Sequence, residues 1–107
     1  MKTIYVKDFS EFPGARERWM GPYSGEEYRD DIILPLLNSN ESVSINLDGV
    51  MGYGSSFLEE VFGGLIRAGI SPSIVRELVK NLVSKDDPDL INEITEYVED
   101  AIALREK

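Results

Sequence analysis
Ser55 and Ser56 stand behind two glycines, Gly52 and Gly54, and immediately ahead of the apolar pair Phe57-Leu58. A hydroxyl in a glycine-rich turn at a helix N-terminus is open to a phosphorylating enzyme, and the free N–H groups of the helix end favour an anion beside it. The same two serines also suit the N-cap, where a side-chain oxygen accepts a backbone N–H. Asp48, Glu59 and Glu60 lie within a few residues of this turn. For catalysis Ser55 would need a base within reach. The chain has no histidine, no cysteine and no lysine close to the turn. A carboxylate would have to serve, whereas acids in the first turn of a helix commonly offset its dipole and face solvent. The expectation is a protein that is not an enzyme.

The missing histidine and cysteine also remove imidazole and thiol chemistry and zinc sites built on nitrogen or sulfur. Asp48 with Glu59 or Glu60 remains a conceivable set for a hard cation. Adjacent acids on a helix point to different faces, so no metal is expected, and no cofactor. Gly52-Tyr53-Gly54-Ser55-Ser56 lacks the Gly-Lys-Ser/Thr ending of a Walker loop.

The elements that position this turn can be read from periodicity. Val43, Ile45 and Leu47 alternate with Ser44, Asn46 and Asp48, the period of a strand with one polar face. Phe57, Leu58, Val61, Phe62, Leu65 and Ile66 form one helical stripe, and Ser56 to Glu59 matches a capping box. Gly63-Gly64 inside that helix costs about 1–2 kcal/mol relative to alanines, which suggests close backbone approach to a sheet.

Upstream, Lys2 to Phe9 alternates as a first strand. Residues 10–23 form a long loop with the turn signals Pro13-Gly14 and Gly21-Pro22, carrying Arg16, Arg18, Trp19 and Tyr23. Trp19 and Phe12 either pin that loop to the core or serve function. Ser24 with Glu27 forms a capping box for a helix burying Tyr28, Ile32 and Leu36, which Pro35 must kink or end. Downstream, Ser71-Pro72 opens a helix. The four-residue spacing of Ile74, Leu78, Leu82 and Val75, Val79, Val83 extends it to Val83, but Val79 to Ser84 could equally be a strand. Asp87-Pro88 opens a last helix striped by Ile91, Ile94, Val98, Ala101 and Ile102.

At 107 residues the chain makes one domain, 1–107, able to bury a core without disulfides. Its net charge is −9, with eight acids against Arg105 and Lys107 in residues 86–107. That balance argues against nucleic acid and against anionic membrane surfaces. No apolar run approaches the roughly 20 residues of a membrane span, and the N-terminus lacks the apolar core of a signal peptide, so a cytoplasmic location is expected.

Leu47-Asp48-Gly49-Val50 and Gly54-Ser55-Ser56-Phe57-Leu58 together resemble the strand and Asp-Ser-Ser-Gly-Leu-like helix start of STAS domains, named for sulphate transporters and anti-sigma-factor antagonists. More closely, the chain is similar to the bacterial STAS-like domain of unknown function. The likeness runs from Ser24-Gly25-Glu26 through Leu34-Pro35, Ser55-Ser56-Phe57-Leu58-Glu59-Glu60 and Phe62-Gly63-Gly64-Leu65 to Ser84-Lys85-Asp86-Asp87-Pro88 and Tyr97-Val98.

The resemblance implies an α/β fold with a small central sheet of about three to four strands, helices mainly on one face, and a strand at Val79 to Ser84. In anti-sigma-factor antagonists the serine matching Ser55 is phosphorylated by a partner kinase, although Gly54 and Phe57 depart from that motif. The function this implies is a non-catalytic interaction or signalling module. It would bind a regulatory partner, a histidine-kinase-like ATPase or another regulator, through the turn and helix at 51–66, switched at Ser55. The chain itself would be a monomer or weak homodimer.

The alternative is a domain sensing a nucleotide or other anion at the same loop edge. Candidate contacts for partner or anion are Arg16, Trp19, Ser24, Met51, Gly52, Tyr53, Gly54, Ser55 and Ser56. A partner surface would be convex and apolar; an anion site would be a pocket lined by Arg16 and the turn N–H groups.

Overall fold
The protein is described by a computed structural model over residues 1–106. Two strands, β1 (Lys2–Tyr5) and β2 (Val43–Asn46), pair in parallel with Lys2 opposite Val43 and Tyr5 opposite Asn46. β1 is shorter than its alternation predicts. Val6–Phe9 winds into a single helical turn, α1, which brings Val6 and Phe9 to the same side, Val6 fully buried.

The expected third strand at Val79–Ser84 is a correction. Helix α4 (Pro72–Lys80) takes up Val79, Asn81 ends it, and only Val83 reaches the sheet, as an isolated parallel bridge to Asn46. Its N–H donates to the Ile45 carbonyl at 3.0 Å and its C=O accepts the Leu47 N–H at 2.8 Å. The four residues 81–84 between the end of α4 and the bend at Lys85-Asp86, the first of them the helix cap, leave no length for more. The sheet therefore has two strands and a bridge, within an otherwise helical α/β domain.

Helix α2 spans residues 25–38 and α3 spans residues 55–67, each interrupted by a π-helical stretch, Tyr28–Ile33 and Glu59–Gly63. In α2 the wider turn accommodates Pro35. The Leu34 N–H, one residue ahead of it, donates to Arg29 five residues back instead of four.

The core runs along α3. Its six-residue stripe from Phe57 to Ile66 is buried to the last member, as the spacing predicts, against Tyr28 and Ile33 of α2, Ile45 and Leu47 of the sheet, and Ile94 and Val98 of α5 (Asp89–Arg105). Ser44, on the polar face of β2, is buried as well, because its hydroxyl donates to the Asn81 carbonyl at 2.8 Å. Among the described residues no helix is long and apolar enough to cross a membrane.

Candidate functional site
The turn between β2 and α3 is held at three points. The Asn46 side chain accepts the Asp48 N–H at 2.9 Å, and Asp48 and Asp86 exchange bonds: Asp86 N–H to Asp48 Oδ1 at 2.9 Å, Gly49 N–H to Asp86 Oδ2 at 3.1 Å. Tyr53 donates its hydroxyl to the Leu47 carbonyl at 2.7 Å, and burial pushes that phenol's pKa up. The Met51 N–H reaches the Glu11 carbonyl at 2.9 Å and so joins the turn to the long loop.

The first residue of α3 is Ser55, with Gly54 at the cap in extended conformation and no side-chain cap bond. The capping box expected at Ser56 and Glu59 is therefore not formed. Glycine is itself an accepted cap residue, and the Glu59 carboxylate is engaged elsewhere. Ser55 and Ser56 are both exposed, with no role in closing the helix.

Beside Ser55 stands Tyr97 of α5, which donates its hydroxyl to Glu93 at 2.6 Å. That bond, with burial and the Glu93 charge, pushes the Tyr97 pKa up to about 12, and the neighbouring Ser55 hydroxyl works in the opposite direction. The concavity beside Met51, Gly52 and Tyr53, about 330 Å³, is lined on its other side by Asp86, Asp87 and Glu93. Among the described residues no group of three or more acids is arranged to hold a metal.

Arg16 is held by the glutamates of α3. Its guanidinium donates to Glu59 at 2.5 Å and to Glu60 at 3.1 Å, in a network with Arg29 and Arg67. Arg67 grips Glu59 with two bonds of 2.8 and 2.9 Å, which more than any other contact holds the Glu59 carboxyl below its usual value near 4.5. Arg29 pairs with the Glu60 carboxylate, donates to the Glu60 carbonyl at 3.2 Å, and contacts Asp30 at 2.9 Å.

This network gives Gly63-Gly64 a different role from the expected approach to the sheet. A Cβ on Gly63 would meet the Glu59 carboxylate, and one on Gly64 the Arg29 guanidinium. The bare backbone makes room for the ion pairs that tie α2 to α3.

The long loop is pinned by its backbone: Gly14 N–H to Tyr23, Gly25 N–H to Ala15 and Glu26 N–H to Arg16 carbonyls, at 2.7 to 3.0 Å. Of its large side chains, Tyr23 packs edge-on to Phe9 with ring centroids 5.4 Å apart, but Trp19 and Phe12 do not anchor it. Trp19 is 77 % exposed and Phe12 70 %, beside Met20 and Tyr23, which are also exposed. Met51, on the adjoining turn, is 71 % exposed.

Ser24, by contrast, is sealed. Its Oγ accepts the Glu27 N–H at 3.1 Å, while the Glu27 carboxylate accepts the N–H of Tyr23 at 3.2 Å, one residue further back than a standard capping box. Of the expected 51–66 surface, Met51 to Ser56 is therefore open apart from half-buried Tyr53, whereas Phe57 to Ile66 is core except for the half-buried Glu59 and Glu60.

A family model described as a STAS-like domain of unknown function (DUF4325) matches residues 24–87, more than half of the chain. The chain belongs to that family. Comparison with curated proteins and with solved structures gave no match. The matched stretch of this STAS-like domain holds α2, β2, the turn, α3 and α4, with Arg29, Glu59, Glu60 and Arg67 of the network inside it. Phe12, Arg16, Trp19 and Tyr97 fall outside it.

Sequence reasoning missed Arg29, Arg67, Tyr97 and Glu93. The first two carried a signal in retrospect: each is a lone arginine on an apolar-striped helix, and Arg67 lies eight residues, about two turns, from Glu59. Tyr97 meets Ser55 only through the tertiary packing of α5 on α3.

Proposed function
We propose that this STAS-like domain is a non-catalytic interaction module whose regulatory partner docks on the long loop 10–23 and the turn at 51–56, with Ser55 as a phosphorylation switch. The observation that carries this reading is the exposure of Phe12, Trp19, Met20, Tyr23 and Met51 on two segments stitched together by the Met51–Glu11 bond. Large apolar side chains gathered on a rigid surface are the usual anchors of protein interfaces. A backbone-pinned loop loses little freedom on binding.

The switch rests on chemistry at Ser55. Transfer of a phosphoryl group from ATP to its Oγ, with ADP leaving and the hydroxyl proton passing to a base of the kinase, places about two negative charges at the start of α3. The helix end favours them, and the Tyr97 hydroxyl, which Ser55 influences and which now donates to Glu93, is a candidate donor to the phosphate. The resemblance to anti-sigma-factor antagonists makes a histidine-kinase-like ATPase the first partner to test. The anion-sensing alternative has less support, because Arg16 is held by Glu59 and Glu60 and the concavity beside the turn is acidic.

Photo-crosslinking in the native host tests the reading, with a reactive residue placed in turn at Trp19, at Met51 and at exposed Leu104 as a control. The same partner recovered from positions 19 and 51 and not from 104, and binding the purified domain, is the expected result. Labelling no greater at 19 and 51 than at 104 removes the proposal.

A further inference from the structure
A second surface lies away from the exposed loop side chains, along β1. In a parallel pair alternate residues turn their backbone groups toward the neighbouring strand. Lys2 does so, donating to the Ser42 carbonyl at 2.9 Å, and Ile4 follows in the same register. Thr3 and Tyr5 therefore face outward. Among the described residues nothing pairs with the Thr3 N–H, the Thr3 C=O or the Tyr5 N–H. These groups sit two residues apart, about 6.6 Å along the strand, the spacing at which an added strand presents its own partners.

The edge also borders a groove of about 360 Å³, walled by Phe9, Tyr28 and Ile32 with exposed Asp8 at its rim. Tyr28 brings to that wall a buried hydroxyl with no hydrogen-bond partner, in the field of Asp8. An open edge and an apolar trough beside it are the two halves of a strand-addition site: backbone bonds give affinity and the trough takes alternate side chains.

We propose that the outer edge of β1 accepts an extended segment of a partner protein as an added strand, with an apolar side chain in the Phe9–Tyr28–Ile32 groove and a basic residue facing Asp8. The charge selects the occupant. Asp8 is the one charged residue lining the groove, so a basic side chain is attracted there, while two copies of a chain at −9 repel one another. A third strand also relieves a sheet that is otherwise two strands and a bridge. This site does not depend on the loop surface proposed above.

The test is selection from a display library of random linear peptides on the purified domain, followed by amide NMR with a selected peptide. The expected peptides are apolar and basic. Binding shifts the Thr3 and Tyr5 amides and slows their hydrogen exchange to the level of Lys2 and Ile4. Thr3→Pro removes an outward N–H that the fold does not use, and Ile32→Glu puts charge in the groove. Each lowers affinity about tenfold or more, with amide spectra showing the fold retained. No enrichment overturns the proposal. So do binders that shift other amides and tolerate both variants, or a free domain already paired through β1 as a dimer.

Discussion
At the start of α2, Ser24 is closed off from solvent and its hydroxyl oxygen accepts the Glu27 N–H. At the start of α3, Gly54 fills the cap and Ser55 and Ser56 stand in water, their hydroxyls not used to close the helix. Both stretches read as serine-led capping boxes, Ser24 to Glu27 and Ser56 to Glu59. They differ because α3 starts earlier than its serines suggest: with Gly54 at the cap, Ser55 and Ser56 are its first two residues, and Glu59, too far along to reach back, turns with Glu60 to Arg16, Arg29 and Arg67. A serine relieved of capping is one a kinase or partner can use without unwinding the helix behind it. What frees it is Gly54, which takes the cap position one residue ahead.

The largest effect belongs to the contact joining the two helices. Arg29 and Glu60 are both well shielded, so Arg29→Ala takes from the Glu60 carboxylate its most buried partner, leaving the more exposed Arg16 and Arg67, and costs about 2 kcal/mol in denaturant unfolding. Arg76→Ala, which breaks the exposed pair with Glu99, costs under about 0.5 kcal/mol. Equal losses would mean the network is no tie between α2 and α3.

Next comes the pair of caps. Ser24→Ala costs about 1 kcal/mol, whereas Ser55→Ala and Ser56→Ala each stay within about 0.5 kcal/mol. A loss at Ser55 as large as that at Ser24 would erase the contrast.

Acid titration probes the diverted glutamate. Arg67, with Arg16, lowers the folded pKa of Glu59, so above the ordinary value near 4.5 its contribution to stability is complete, and it disappears as pH falls through the lowered folded value. Subtracting the Glu59→Gln stability curve from that of the wild type isolates this slope, which is positive with rising pH; a flat difference contradicts the assignment.

The smallest effect is Tyr28→Phe. It removes a buried hydroxyl that bonds to nothing, so thermal unfolding of the free domain is unchanged or slightly raised.

How much of this was legible depended on whether the determinant was local. The stripe from Phe57 to Ile66, the C-terminal helix and the Ser24 cap follow from spacing alone, because burial and capping repeat along a helix. That Val79–Ser84 forms no strand was not legible: Val79 packs as well on a helix as on a strand, and the outcome turned on Asn81 ending α4 and leaving Val83 alone to touch β2. The π-helical stretches escaped notice because a ladder that slips by one residue keeps the same side-chain pattern to within a turn. Trp19 and Phe12 show the limit from the other side. Their size suits a core, yet the loop is held by backbone bonds and leaves them outside. Of the candidate site, the turn and its serines were read from local sequence, while Tyr97 and the arginines come to it from distant parts of the chain.

The most direct test takes the partner recovered by crosslinking and measures its affinity for Ser55→Ala and Ser55→Glu, alongside the thermal unfolding of both variants. The predicted result is unfolding within a few degrees of wild type for both, with affinities that differ by about tenfold or more. Equal affinities, or a stability loss at Ser55 matching that of Ser24→Ala, would contradict the view that this serine is left free of structural duty for use as a switch.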